Sequence, residues 1–519
     1  MKLPRTTSLA ALAALALTGV LVAPGSPATG STAQAPSARA SLGTLSVSPT
    51  KFVSGQSLLW TGKLPHAGVR TITMQRFLNR PGDSWIDVQG FKAQTNADGS
   101  FSFHYPAPDM LDIGFRVKSG RYATTKLDLF PKYQDVVLKT DGPAVAGQPF
   151  TIVADTTTTG APVFQGRTLT LQRRVDASTW TDLGTTTVGG MGKGTFSVTE
   201  STAGTQVYRV IEEDWTTGGN QIGWYPSFPT YVTVGTASSA RGMTPALVDR
   251  SVASTRSSRA SSRVAPTRVA RAARQTAALR WNWGYPIFDF DWTSGESLTS
   301  PPWRGSRQQG QWTEYLGGTG RVAKKSGQLG LWSGRTDKYG SGNRGTTATQ
   351  LQGNAQSYGR WEMKLRTVTK TSGQRYLVRA ELVPELASDY DCGAHNITIA
   401  EARPGQSGAV IRAVKGTTQW SRTIGLSNLE SSTPMVGVEL MKDHVTWFVN
   451  SSPVATLMTR RIAEDVPMTL RLSLIGADDH EMANTLLLSD WQRGFPINRS
   501  PGVTSGPSLT KSTFTPTCG

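Results

Sequence analysis

Residues 395–401 hold the polar side chains of this 519-residue chain that are best spaced for chemistry. Their sequence is HNITIAE, in which Asn396, Thr398 and Glu401 alternate with apolar residues. A strand places alternate side chains on one face, and the extra residue before Glu401 implies a bulge that turns this carboxylate toward the other two side chains. Nucleophilic and acid–base chemistry on such a face would use carboxylates, and only Glu401 supplies one.

This run resembles the signature of glycoside hydrolase family 16, which reads Glu, apolar, Asp, apolar, one optional residue, Glu. Retaining glycosidases need one carboxylate as nucleophile and a second, protonated one about 5 Å away as acid. By this resemblance, Glu401 takes the acid/base position, Asn396 the nucleophile position and Thr398 the position of the auxiliary Asp. A neutral amide cannot attack a sugar carbon, so the resemblance implies a divergent member that lacks two of the three acids.

Three further stretches carry the same resemblance, in the family's order. Residues 357–366 (SYGRWEMKLR) are similar to a YGRFEARIK strand, residues 444–454 (HVTWFVNSSPV) to a WYVDGxPV hairpin, and residues 467–474 (PMTLRLSL) to a PMxLxLNL strand. The alternation of apolar and polar residues in 357–366 is typical of a half-buried strand. The resemblance therefore implies a concanavalin A-like β-jelly roll over residues 281–519.

A displaced second carboxylate is the remaining route to catalysis. Glu381 lies in a stretch that is similar to the family's cleft strand, and an inverting mechanism accepts a base about 6.5–9.5 Å from the acid. Glu381 is therefore a possible base beside Glu401. The alternative is a salt bridge between Glu381 and Arg379 or Arg366.

The last predicted domain is rich in tryptophan, with 10 of the 15 tryptophans after residue 280. Aromatic rings stack on the apolar face of a pyranose, whereas other tryptophans in alternating strands must form core. Trp303, Trp312 and Trp420 are flanked by polar residues and glycines, so we predict that they bind substrate.

Two functions follow as expectations. The first is a secreted, non-hydrolytic protein that binds a β-glucan-like or galactan-like polysaccharide. The alternative is an active secreted endo-glycosidase that uses Glu401 with a displaced carboxylate. No His/Cys cluster has metal-ligand spacing, so neither a metal nor a cofactor is expected.

The N-terminus predicts export. A basic start is followed by a short apolar run from Leu9 to Ala23 and then small residues, so we predict a signal peptide and small-residue segment over 1–40. The apolar run is too short for a stable transmembrane anchor. We therefore expect a secreted protein, extracellular or associated with the cell wall.

The chain contains two cysteines, Cys392 and Cys518. In an oxidising exterior a pair of cysteines is most simply one disulfide. We predict that this bond ties the segment before residue 395 to the C-terminus.

Residues 41–236 contain an internal repeat. The stretch 70–76 (RTITMQR) recurs as 167–173 (RTLTLQR), and 115–117 (FRV) recurs as 208–210 (YRV). Short alternating strands between Gly, Asn, Asp and Pro turns predict two immunoglobulin-like β-sandwiches, over 41–135 and 136–236. Together with the jelly roll, these sandwiches make the predicted fold class all-β.

Residues 237–280 are rich in Arg, Ser and Ala, which predicts a linker. Nine arginines against Asp249 give this segment a charge of +8 out of the chain's +18. The segment either attaches the protein to an anionic cell-wall polymer or is a plain solvated linker. No nucleic-acid recognition motif accompanies the arginines, so no nucleic-acid partner is expected.

Overall fold

The structure, a computed structural model, describes residues 41–77, 84–88, 90–109, 113–236, 275–292, 298, 302–303, 307–308, 310–337, 340–497 and 500–516. The predicted signal segment 1–40 and residues 237–274 of the predicted linker lie outside this description. Its residues form mostly antiparallel β-sheets, so the predicted all-β class is confirmed. Among the described residues, no helix is long and apolar enough to cross a membrane.

The first repeat forms two sheets around one core that includes Trp60, Met74 and Phe115. One sheet has the order β1-β2-β6, and the other has β4-β3-β7-β8 with β5 on β3 and β9 on β7. The strands are β1 Thr44–Ser48, β2 Ser57–Lys63, β3 Thr71–Phe77, β4 Ile86–Asp87, β5 Ala93–Gln94, β6 Ser100–Pro106, β7 Ile113–Ser119, β8 Tyr122–Ala123 and β9 Leu127–Leu129.

The second repeat pairs its strands in the same way as the first. β12 pairs with β15 as β2 pairs with β6, and β13 pairs with β16 as β3 pairs with β7. Its core is separate, and the immunoglobulin-like assignment of both repeats stays a prediction. The strands are β10 Val137–Asp141, β11 Ala144–Val145, β12 Pro149–Asp155, β13 Thr168–Arg174, β14 Trp180–Thr187, β15 Lys193–Thr199, β16 Gly204–Glu212, β17 Trp215–Thr217, β18 Asn220–Ile222, β19 Tyr225–Pro226 and β20 Thr230–Gly235.

The C-terminal domain contains the helix α1 (Ala277–Arg280), two 3₁₀ turns (Ala387–Asp389 and Asp391–Gly393) and many strands. The strands are β21 Phe288–Phe290, β22 Pro302–Trp303, β23 Arg307–Gln308, β24 Gln311–Leu316, β25 Arg321–Lys324, β26 Leu329–Trp332, β27 Gly334–Arg335, β28 Gly342–Asn343, β29 Thr347–Gln352, β30 Gly359–Thr369, β31 Leu377–Pro384, β32 His395–Ala402, β33 Ala409–Lys415, β34 Thr418–Ile424, β35 Met435–Leu440, β36 His444–Val449, β37 Ser452–Met458, β38 Met468–Ile475, β39 Thr485–Pro496 and β40 Thr510–Thr513.

Two eight-stranded antiparallel sheets of this domain pack face to face as a β-jelly roll. The front sheet has the order β24-β29-β38-β31-β32-β33-β34-β40, and the back sheet has β25-β26-β39-β30-β35-β36-β37 with β21 on β39. Their facing sides bury one large core that includes Trp361, Trp447 and Leu472. The sheet–sheet architecture predicted for this domain is confirmed.

The domain begins a few residues earlier than the predicted boundary at 281. Helix α1 packs Ala277 and Ala278 against the cluster of Trp283, Phe448 and Phe495. The backbone N–H of Ala278 donates to a carboxylate oxygen of Glu362 at 3.2 Å. The last residues of the predicted linker therefore belong to the folded domain.

One buried arginine joins the second repeat to the C-terminal domain. The guanidinium of Arg321 lies 3.0 Å from Asp135 and 3.8, 4.8 and 4.9 Å from the ring centres of Phe228, Trp332 and Tyr225. Arg335 also binds Asp135, at 2.9 Å. Because Arg321 and Asp135 are only 4% and 7% exposed, the charges depend on each other for solvation.

We predict that Arg321→Met lowers the free energy of unfolding by about 3 kcal/mol, because it leaves Asp135 buried with Arg335 alone. Urea denaturation followed by tryptophan fluorescence measures this loss. Arg422, an exposed arginine that donates to the Ser508 carbonyl, is the matched control. An equal effect of Arg422→Met would contradict the assigned role of Arg321.

We predict that Glu362 makes stability depend on pH. Burial raises its pKa to about 6, so the folded protein holds this proton more tightly than the unfolded chain does. The free energy of unfolding should therefore fall as pH rises from about 4 to 8, by up to about 2 kcal/mol. Glu362→Gln lacks this titrating group, so its free energy of unfolding relative to wild type should rise by the same amount between these two pH values. Exposed Asp141→Asn is the control, and parallel curves for wild type and Glu362→Gln would refute the assignment.

Candidate functional site

The outer side of the front sheet forms a polar face. Residues that pair directly across neighbouring strands share one side of a sheet. Glu381 pairs with Thr398 on β32 and with Arg471 on β38, while Arg379 pairs with Glu401. This polar face comprises Gln350, Arg379, Glu381, Asn396, Thr398, Glu401, Arg412 and Arg471.

A bulge in β32 brings Glu401 to this face. Thr398 pairs with Arg412 and Glu401 pairs with Val410, so three steps along β32 oppose two along β33. The one extra residue restores the side-chain alternation that an odd spacing would otherwise break. The structure therefore places Asn396, Thr398 and Glu401 on one side of the sheet, as the sequence predicted.

Asn396 lies at the centre of a buried hydrogen-bond chain. Its amide nitrogen donates to Oε2 of Glu381 at 2.6 Å, and its amide oxygen accepts from the Thr398 hydroxyl at 3.2 Å. The three side chains are 8%, 4% and 1% exposed. Both ends of the Asn396 carboxamide are thus fixed, and the adjacent carboxylate of Glu381 is used as an acceptor.

Glu401 is held by two arginines. Nε and Nη2 of Arg379 lie 2.7 Å from its Oε2, and Nη2 of Arg412 lies 3.6 Å from its Oε1. A guanidinium only donates hydrogen bonds, so a protonated Glu401 would find no acceptor in either arginine. This arrangement suits a carboxylate that anchors arginines better than one that supplies a proton.

The predicted salt bridge of Glu381 is wrong. Arg379 binds Glu401 instead, and Arg366 is exposed on β30 of the back sheet. The contact of Glu381 is with the neutral Asn396, which the sequence did not predict. The amide at position 396 allows Glu381 to be accommodated there without two carboxylates in contact.

The predicted sugar-stacking role of Trp312 is wrong, and Trp420 does not lie on the polar face. Trp312 is 2% exposed and packs 5.6 Å from Phe290 and 6.4 Å from Trp292, because its β24 position faces the core. Trp420 pairs with the fully buried Ala413, so it lies on the core-facing side of the sheet, between β33 and β40. Trp303 belongs to β22, but its side chain lies outside the described part of the chain.

Two tyrosines that the sequence reasoning missed contribute to the polar face. The Arg471 guanidinium lies 5.0 Å from the ring centre of Tyr315. Burial and the nearby Glu381 raise the pKa of Tyr390, while Arg471 and Arg379 act in the opposite sense. The alternation of β38 could have placed Arg471 on this face, whereas Tyr390 follows a 3₁₀ turn and carried no periodic signal.

Cys392 is disulfide-bonded, and the described residues contain no free cysteine. Its predicted partner, Cys518, lies outside the described residues, so the pairing itself stays a prediction. Within the described ranges, no group of three or more His, Cys, Asp or Glu side chains is arranged to hold a metal ion.

No protein-family model matches the sequence, and no curated protein matches it either. Solved structures show partial likeness. One is the catalytic domain of an endo-1,3-β-glucanase (laminarinase) from Thermotoga petrophila RKU-1, at 16% identity and a TM-score of 0.28, covering 34% of this chain and 81% of that one. A laminarinase from Flavobacterium sp. UMI-01 has 14% identity and a TM-score of 0.27, with coverages of 34% and 83%.

A further solved structure, described with endo-acting O-glycanases of the human gut microbiota, has 12% identity and a TM-score of 0.31. It covers 41% of this chain and 100% of that one. Likenesses this weak carry no argument about the chemistry of the polar face. That chemistry must be inferred from the side chains themselves.

We predict that Asn396→Asp destabilises the domain in a pH-dependent manner. The new carboxylate would lie against Glu381 where an amide now donates at 2.6 Å, and two buried carboxylates repel each other. We expect a loss of about 3 kcal/mol at pH 8 that shrinks toward pH 4, where one carboxyl takes a proton. Thermal unfolding at both pH values measures it.

The matched control is the exchange Glu381→Gln with Asn396→Asp, which swaps the donor and the acceptor of the same hydrogen bond. This double variant should recover most of the stability at pH 8. A loss that is independent of pH, or that the swap leaves unchanged, would show that the 396–381 contact does not determine the effect.

Proposed function

We propose that the C-terminal domain is a divergent relative of glycoside hydrolase family 16 that binds a β-linked polysaccharide on the polar face without hydrolysing it. The sequence motifs in 357–366, 395–401, 444–454 and 467–474 support the relationship. The observation that carries the loss of hydrolysis is the buried Asn396, whose amide occupies the nucleophile position and donates to Glu381.

The chemistry of the face argues against a retaining mechanism. That mechanism needs an ionised carboxylate at the sugar carbon and a protonated one at the leaving oxygen. Position 396 offers an amide, and Glu401 is bound by Arg379 and Arg412. Neither of the two required groups is in place, while the arginine donors remain suited to hydroxyl-rich ligands.

Tyr315 and Tyr390 supply the aromatic surface that the predicted tryptophans do not. Both are partly exposed, and Tyr315 is stacked by Arg471 on the polar face. A tyrosine ring offers an apolar surface to a pyranose and a hydroxyl to its edge. A β-glucan or a galactan has the alternating apolar and hydroxyl surfaces that this combination fits.

A glycosidase that uses Glu381 is the second candidate function. The observation that favours it is the position of Glu381, whose carboxylate lies 2.6 Å from the amide at the nucleophile position. An inverting enzyme would need this carboxylate to activate a water molecule. Glu381 is 4% exposed and already accepts a hydrogen bond, which favours the binding function over this one.

Export and surface attachment are part of the same proposal. The apolar run after the basic N-terminus would direct secretion, and the +8 segment 237–280 would hold the protein on an anionic cell-wall polymer. Such attachment should weaken steeply as salt screens the arginines.

The deciding experiment measures binding and hydrolysis on the same preparation of the exported chain. Laminarin and agarose are suitable glucan and galactan probes. We expect binding of one of them with no release of reducing ends, and Glu401→Gln should leave the dissociation constant within about twofold. Robust turnover by the unmodified protein, lost in Glu401→Gln or Glu381→Gln, would refute the binding proposal and support the glycosidase.

Restoring the acids tests the cause of inactivity. Asn396→Glu with Thr398→Asp should still be inactive, because the new Glu would face the carboxylate of Glu381. Adding Glu381→Gln should permit slow hydrolysis with retention, as read from the anomeric products by NMR. If the double variant is active and the addition of Glu381→Gln abolishes this activity, the expected order of effects is contradicted.

A further inference from the structure

A cavity of about 690 Å³ lies where the two repeats and the C-terminal domain meet. Its walls include Tyr105 and Asp109 from the first repeat, Trp224 from the second, and Lys324 and Lys325 from the C-terminal domain. Lys324 ends β25 in the back sheet, whereas the polar face belongs to the front sheet. The cavity is therefore a separate feature from the proposed polysaccharide site.

Aromatic rings from different domains line this cavity. Tyr105, Tyr133, Trp224 and Tyr225 all contribute to its walls. Ligand sites typically enclose about 300–1,000 Å³ and combine aromatic walls with a few polar groups. Rings of this kind stack on the apolar faces of sugars, so the shape and lining suit a short oligosaccharide.

The charges in the cavity are not balanced. Of the acidic groups in its lining, Asp109 forms an ion pair with Lys324, and Asp87 accepts a hydrogen bond from Gln75. Arg76, Lys132 and Lys325 add three more cations to the lining. The ammonium of Lys325 lies 3.1 Å from the ring centre of Tyr133 and 5.7 Å from that of Trp332, and it has no carboxylate within ion-pair distance among the described residues.

We propose that this junction cavity binds an acidic oligosaccharide, with a carboxylate or sulfate group on Lys325 and a sugar ring against Tyr133 or Trp224. This is a second saccharide site beyond the proposed function of the polar face. The lining holds four cations (Arg76, Lys132, Lys324 and Lys325) and two acids (Asp87 and Asp109). A neutral sugar would leave this surplus of two positive charges unpaired, whereas an anion pairs with it.

The surroundings of Lys325 make such binding depend on pH. Burial lowers its pKa to about 7, and Arg321 and Lys370 act in the same direction while Asp135 opposes them. Tyr133 faces the ammonium, and the neighbouring Lys324 is paired with Asp109. Since an anion binds the protonated form more tightly, affinity should decrease as pH rises from 6 to 8.

The test uses the full chain with tetragalacturonic acid as the acidic probe and cellotetraose as the neutral probe, followed by calorimetry at pH 6 and pH 8. We expect the acidic probe to bind at pH 6 and to weaken at pH 8. Lys325→Met should lower its affinity at pH 6 roughly tenfold, as expected for loss of one charge-assisted contact. Lys193→Met, at an exposed position on β15, should leave it unchanged.

Lys325→Arg provides a second variant that keeps the charge. It should bind the acidic probe at both pH values, because arginine stays protonated. Equal binding of cellotetraose, no binding of tetragalacturonic acid at pH 6, or a Lys325→Met variant with unchanged affinity would overturn the proposal. Arg412→Ala distinguishes the two sites, since it should weaken binding of laminarin or agarose on the polar face and leave the acidic probe unaffected.

Discussion

The extra residue between Thr398 and Glu401 is the constraint on which the polar face depends. Without it, the odd spacing would send Glu401 to the core side of the front sheet, where a carboxylate has no partner. With it, Glu401 meets Arg379 from β31 and Arg412 from β33. The pairing with β31 contains the same bulge, since Ala380 pairs with Ala400 and Glu381 with Thr398, while β31 pairs with β38 in unbroken register. The bulge thus brings Glu401 to the side of the sheet where the regular alternation of β31 places Glu381.

The neutral residues of β32 form a complete hydrogen-bond chain on this face. Asn396 both donates to Glu381 and accepts from Thr398, so the amide joins a carboxylate and a hydroxyl on neighbouring positions of the face. Buried polar groups are tolerated when each finds a partner. The face can therefore hold Asn396, Thr398 and Glu381 in the buried front sheet without a charged pair among them.

Sequence patterns predicted the features that depend on local periodicity. The alternation in β32 placed three residues on one face, and the internal repeat 70–76 and 167–173 gave two strands with equivalent pairing. The prediction that Trp312 binds substrate was wrong, because polar neighbours in the sequence do not determine which side of β24 a residue occupies. The partner of Glu381 was beyond prediction, since it depends on the register between β31 and β32. The junction cavity needs three domains in contact, which no single segment encodes.

The contact between the second repeat and the C-terminal domain has a consequence for how the two proposed sites would cooperate. Arg321 begins strand β25 and Lys325 follows its last residue. Arg321 is paired with Asp135 inside an aromatic cluster, while Lys325 faces the cavity. The ion pair of Arg321 with Asp135 joins the domains. The joined domains form the cavity walls around Lys325. The cavity beside the back sheet and the polar face of the front sheet belong to the same folded unit. Two weak sites at a fixed separation raise the effective concentration of a polymer that reaches both, so mixed acidic and neutral chains would be retained more strongly than either kind alone.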